Sequence, residues 1–264
     1  MQANLLAKGC TCPGRRFVGR AITSKWPFSY ALGSEFERNF NFFARTQTHA
    51  TPTGRVVNNV SSLHDNIYVS SETNRPKRIV VGITGATGTV YAIRILAILR
   101  QLGIETHLII SKWALATMKY ETSISEAELR GLATRSYTAK DLSAPIASGS
   151  FQHDGMMIVP CSMKTLAAIR SGYCDDLISR AADVTLKEDR GLLLAVRETP
   201  LSLIHLENLL FLRQANAIIF PPVPAFYNRP KSIEDMVHQS AGRMLDLMGI
   251  FTDGFERWEG FRRT

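Results

Sequence analysis

Residues 78–90 read RIVVGITGATGTV. Four apolar residues, Ile79, Val80, Val81 and Ile83, run into a turn, with Gly82 interrupting the run. The turn carries Gly85, Gly88, Thr84 and Thr87, and an apolar helical pattern starts at about Val90. A buried strand that ends in a Gly-rich turn and feeds a helix is a common way for an α/β protein to hold a phosphate. The first N–H groups of a helix are unpaired, and the aligned peptide dipoles favour an anion there. The spacing is G-x-x-G after a lone Gly82 and not G-x-G-x-x-G, so a dinucleotide site is not signalled.

Beyond this turn, apolar runs alternate with helical patterns. Ile93, Leu96, Ala97 and Leu99 lie at helical spacing in 90–102, and Gly103 closes that helix. ETHLII at 105–110 reads as a second strand, and a helix follows through Trp113, Leu115 and Met118 to about Tyr120. Ser125 and Glu128 form an S-x-x-E capping box for a short helix to Ala133. Residues 136–154, rich in Ser, Ala and Gly, are expected to be a mobile loop. A third strand is expected at Met156–Pro160, a fourth at Gly191–Val196 and a fifth at Ala217–Phe220. Helices are expected at Met163–Ile169, Asp176–Glu188, Leu203–Arg213 and Ser232–Leu247, the last with Ser232 as N-cap and Asp235 at N3. This rhythm predicts one α/β domain built on a single open parallel sheet, Rossmann-like or flavodoxin-like, in three layers. Such a sheet binds ligands at the carboxyl ends of its strands.

Residues 75–264 are expected to form that domain, and 1–74 an extension. The 264-residue chain carries a net charge of +8. Residues 1–74 hold eight Lys/Arg and four Asp/Glu, so half of the excess sits on about a quarter of the chain. Residues 1–34 contain Lys8, Arg15, Arg16, Arg20 and Lys25, many hydroxyls and no acid. That is the composition of a mitochondrial transit peptide, with a plain basic tail or a nucleic-acid arm as the other readings. Residues 46–76 are polar and read as a disordered linker. No apolar run approaches the roughly 18 residues of a membrane span. The four cysteines show no disulfide framework, and Cys10-x-Cys12 is too isolated for a metal site.

The residues that follow each strand supply the candidate chemistry: Thr84 to Gly88, Ser111, Cys161 to Thr165, Arg197 with Glu198, and Pro224, Phe226 and Tyr227. In one open sheet they converge on one crevice. Hydroxyls and helix starts there suit a phosphate and a polyol, and a buried Arg197–Glu198 pair would handle charge. Ser and Thr at these positions are equally ordinary N-caps. Lys187-Glu188 and Arg197-Glu198 also read as surface ion pairs. Cys161, at a helix start, is a candidate thiolate with His153 or His205 as partner; packing of the thiol and structural histidines are the competing readings.

The motifs GITGATG (82–88), ISKWA (110–114), SGSFQHDGM (148–156), PCSMKTLAAI (160–169), DLISRAADVTLKE (176–188), RETPLSLIHLENL (197–209), PPVPAFYNRP (221–230) and GRMLD (242–246) stand in the order of a known family. Over about 77–260 the sequence resembles the flavin prenyltransferases of the UbiX type. Its fungal members were once called phenylacrylic acid decarboxylases. The resemblance implies transfer of a dimethylallyl group from dimethylallyl phosphate to N5 and C6 of reduced FMN, without a metal. The product would serve a UbiD-type decarboxylase of aromatic acrylic acids. It also implies a homo-oligomer, usually a dodecamer, with no nucleic-acid or membrane partner.

By the same resemblance, Gly85, Ala86, Thr87, Ser111, Ser162, Met163, Lys164, Thr165 and Arg197 contact FMN. Lys187, Arg197, Tyr227 and Arg243 hold the donor's phosphate; without a metal, protein cations must carry that leaving group. Glu198 is the acid/base residue, Glu121 a second carboxylate near the flavin, and Thr87 lies at the reacting edge. Three positions depart from the family pattern. Thr87 stands where bacterial members typically have serine, Asp176 where many members carry asparagine, and Leu142 aligns with a position that is aromatic in bacterial members, whose ring could stabilise an allylic cation. Two rivals stand: an FMN-dependent cysteine decarboxylase of similar fold, and a non-catalytic flavin carrier. The first predicts a catalytic His soon after strand one, and none occurs between Gly82 and Leu102.

Overall fold

Six parallel strands form one open sheet in the order β3-β2-β1-β4-β5-β6. The computed structural model describes residues 75–255, 257, 258 and 260. The transit peptide and linker expected in 1–74 lie outside the described residues. The strands are β1 (Arg78–Ile83), β2 (Glu105–Ile110), β3 (Arg135–Thr138), β4 (Gly155–Cys161), β5 (Leu192–Val196) and β6 (Ile218–Ile219). The helices are α1 (Thr89–Gln101), α2 (Lys112–Glu121), α3 (Glu126–Gly131), α4 (Met163–Ser171), α5 (Leu177–Lys187), α6 (Leu203–Gln214) and α7 (Ile233–Leu247). The order 3-2-1-4-5-6 is that of doubly wound sheets, whose chain reverses direction across the sheet between β1 and β4.

The central strands are apolar on both sides because helices cover both faces. Ile79, Val81, Ile83, Met157 and Val159 pack beneath Ile95, Leu96 and Leu99 of α1 and Met244 and Leu245 of α7. Val80, Ile158, Leu192 and Leu194 pack against Leu166 of α4 and Leu177, Ile178 and Ala181 of α5.

Helix starts follow the sequence signals. The capping boxes of Ser125 with Glu128 and of Ser232 with Asp235 are both formed. Gly103 takes a φ of +67° just past α1, a value that suits glycine. Two expectations are corrected. Residues 136–154 are not a plain loop: Arg135–Thr138 pairs with β2 as an edge strand, and Pro145–Ala147 forms a 3-10 turn. Three of the four β3 residues are exposed, so the strand carries no apolar signature, and its pairing with β2 is a tertiary event. In addition, β4 continues through Pro160 to Cys161, with a register shift against β5 between Ile158 and Cys161.

Candidate functional site

The carboxyl ends of β1, β2, β4 and β5 carry most of the expected flavin-contact residues on linked loops. Ser111 N–H bonds Ile83 C=O at 3.0 Å and ties β2's exit to β1. Arg197 N–H bonds Cys161 C=O at 3.3 Å and ties β5's exit to β4. Between β1 and β4 the link is Thr84, whose hydroxyl donates to Pro160 C=O at 2.7 Å and accepts Ser162 N–H at 2.8 Å. Thr117 on α2 donates to Gly85 C=O at 3.3 Å and holds the Gly-rich turn from above. The turn passes so close to α2 that a Cβ on Gly85 would fall 2.4 Å from Trp113 Cβ. These bonds hold the loops that carry Gly85, Ala86, Thr87, Ser111, Ser162, Met163, Lys164, Thr165 and Arg197 together at the carboxyl end of the sheet, around the β1–β4 switch point where such a sheet has its binding crevice.

Two helices begin beside this crevice, and their starts differ. At α1, Gly88 N–H reaches both Glu121 carboxylate oxygens at 3.0 Å, and Thr89 N–H reaches one at 2.9 Å. The anion at this helix start is therefore the chain's own carboxylate, which corrects the reading of the turn as a phosphate cradle. At α4, Ser162 Oγ accepts Thr165 N–H at 3.4 Å and lies 3.1 Å from Thr165 Oγ1. Among the described residues the amides of Met163 and Lys164 have no acceptor within the chain. Lys164 is exposed beside them, 3.7 Å from Asp175. Open amides, two hydroxyls and an ammonium at a helix start form a donor set that fits a phosphate monoester.

The other predicted site residues are distributed differently. Arg197 and Glu198 are exposed and not the buried pair expected; no ion pair joins them among the described residues, and Glu198 accepts Thr199 N–H at 3.0 Å. Arg197 lies close enough to Tyr91 on α1 to act on its phenol electrostatically. Tyr227 sits on the Pro-rich turn, where its hydroxyl accepts from Gln239 at 3.4 Å and its ring meets Trp258 edge-on at 5.4 Å. Arg243 is exposed and paired with Asp246 at 3.3 Å.

Lys187 is the outlier. It ends α5, pairs with Glu188 and lies beside Gly149 at the amino edge of the sheet. Arg197 follows β5 at the carboxyl edge. The five residues of β5 between the two edges span about 16 Å. Within one protomer Lys187 and Arg197 therefore do not share a phosphate.

Burial pushes the Cys161 thiol up to about 12. It stays a thiol at neutral pH, and its Sγ approaches Ser162 C=O at 3.7 Å. His153 is buried against Gly155 C=O, and His205 serves as the N3 partner of Ser202 in the α6 capping box. The nucleophile reading fails on these grounds. Thr84's role was not legible beyond a threonine ending an apolar strand, and neither was the packing of Gln239 and Trp258 against Tyr227.

The Flavoprotein family matches residues 67–245. The mitochondrial flavin prenyltransferase PAD1 of Saccharomyces cerevisiae is 62% identical over 193 residues, covering 73% of this chain and 80% of that one. The chain belongs to the flavin prenyltransferase family. AnUbiX (PadA1), solved with FMN and dimethylallyl pyrophosphate, is similar at 59% identity and a TM-score of 0.70, over 71% of this enzyme and all of that chain. A dodecameric FMN-dependent UbiX-like decarboxylase from Escherichia coli O157:H7 is similar at 49% identity and a TM-score of 0.68, over 69% of this enzyme and all of that chain. No group of His, Cys, Asp or Glu able to hold a metal occurs among the described residues.

Proposed function

We propose that this enzyme transfers a dimethylallyl group from dimethylallyl phosphate to reduced FMN, and that residues 75–264 form its catalytic domain. The observation that carries the reading is the open α4 start in the β1–β4 crevice, which suits the FMN phosphate. Reduced FMN supplies N5 and C6 as the atoms that take the dimethylallyl carbons. Ser162, Thr165 and the Met163 and Lys164 amides hold its phosphate. Gly85, Ala86, Thr87 and Ser111 border the flavin, and Arg197 closes the β5 side. Glu121 fixes the Gly88 turn and with it Thr87.

The donor's allylic C–O bond breaks with its electron pair leaving on the phosphate. Arg197, Tyr227, Arg243 and Lys187 take up the charge of that leaving group. Lys187 lies on the wrong edge of its own sheet for this, so it is assigned to the site of a second copy. Glu198, exposed beside Arg197, moves the protons of ring closure together with the released phosphate: one is given to the dimethylallyl double bond as its other carbon bonds to C6, and the C6 proton is taken up. A homo-oligomer also gives a cover to α6, where Leu203, Ile204 and Leu210 are at least 60% exposed. We further propose import into mitochondria and delivery of the product to a UbiD-type decarboxylase.

The test is anaerobic incubation with reduced FMN and either dimethylallyl phosphate or the diphosphate. Mass spectrometry should show flavin heavier by one dimethylallyl unit, with the monophosphate the faster donor. Unchanged flavin with both donors would exclude the activity.

A further inference from the structure

Among the described residues, Thr84 is the buried hydroxyl that links the end of β1 to the exit of β4. It follows β1, is 2% exposed, and makes three bonds across to the exit of β4. Its N–H and its hydroxyl both point to Pro160 C=O, at 3.3 and 2.7 Å. The Thr84 hydroxyl oxygen in turn accepts Ser162 N–H at 2.8 Å. That last bond matters most. Ser162 is the N-cap of α4, and its own amide is satisfied by Thr84 and not by a ligand. The amides of Met163 and Lys164, the next two in the chain, are the ones left without an acceptor among the described residues.

We propose that Thr84 is a positioning residue for flavin binding: its hydroxyl locks the α4 start to the end of β1 and so fixes the donors that receive the FMN phosphate. This rests on the reading of the crevice as the FMN site. No direct contact between Thr84 and the flavin is required. Valine has nearly the same shape but can neither donate to Pro160 nor accept from Ser162. Thr84→Val leaves a part-buried amide without a partner and frees the turn to rotate. Thr84→Ser keeps both bonds.

The experiment is a fluorescence titration of FMN with the full-length wild type, Thr84→Ser and Thr84→Val, followed by prenylation kinetics and thermal midpoints. Loss of a buried partner predicts a roughly tenfold rise in Kd and in KM for FMN in the valine variant. Its kcat at saturating FMN stays within about threefold, and the serine variant stays within about twofold of wild type in every measure. A folded valine variant with wild-type affinity overturns the proposal, as does a fall in kcat with KM unchanged. If the valine variant does not fold, Thr84→Ala is titrated instead. Weakened binding in folded alanine protein supports the lock, whereas failure of both to fold makes Thr84 a folding residue and overturns it. A wild type that binds no FMN removes the site reading itself and is seen before any variant is compared.

Discussion

Glu121 is the last residue of α2, where a negative charge is unfavourable for its own helix dipole. It is tolerated because its carboxylate completes the start of α1, accepting from Gly88 and Thr89. Replacing it with alanine leaves two amides without an acceptor. Glu121→Ala should cost about 1–2 kcal/mol of stability, read as a lower urea midpoint at unchanged m-value. An unchanged midpoint would show that solvent replaces the carboxylate without loss. Buried histidine sets a second expectation. His153 is lowered to about 4, first by burial and then by the charge of Arg190. Its native pKa lies below the unfolded value of about 6.5, so the unfolded chain binds the extra proton. The stabilising contribution is complete above about pH 6.5 and falls as pH drops toward 4, by up to about 3 kcal/mol. His107, also lowered chiefly by burial, acts in the same direction. Urea midpoints measured from pH 7 to pH 4 should fall less steeply in His153→Gln than in wild type; parallel curves would exclude the assignment.

Among the elements, α5 shows how a departure from the family pattern is absorbed. Asp176 stands at its N-cap, accepts Ser179 N–H at 2.8 Å and completes a capping box with the Ser179 hydroxyl. Asparagine at this position can make the same bond, so the change of charge falls on a helix start that favours it. Asp176→Ala should lower stability by about 1 kcal/mol, while Asp176→Asn should lie within about 0.5 kcal/mol of wild type in chemical denaturation. Equal losses in the two would point to charge and not to capping. The contrast between α5 and β3 explains what could be read in advance. The α5 sequence carries its own cap and an apolar face, both local properties. Arg135–Thr138 has neither; it becomes a strand because β2 offers it an unpaired edge. The α1 start shows the same limit, since its acceptor is 33 residues away in sequence at Glu121.

Over the whole molecule, the sheet separates residues that the sequence places near each other. Lys187 and Arg197 are ten positions apart, yet β5 runs between them and sets them on opposite edges. A phosphate cage that uses both must be completed between copies. Lys187→Ala and Arg197→Ala oligomers should each be nearly inactive in prenylation. Dissociated, mixed and reassembled together, they should regain activity, because some sites then draw an intact lysine from one copy and an intact arginine from the other. Mixed oligomers no more active than either parent would exclude a shared site.

The alternation of helices with every strand except β3, and the caps of α3 and α7, follow from the sequence alone. They depend on apolar periodicity, helix-start residues and the alternation of strand with helix, which are short-range properties. The tertiary structure decided the rest. It filled the α1 start with Glu121, left the α4 start open, drew Thr84 across the β1–β4 junction and put Lys187 on the far edge. Each of these depends on which surfaces meet after the sheet is wound, and pairing between distant segments leaves no mark on either segment by itself.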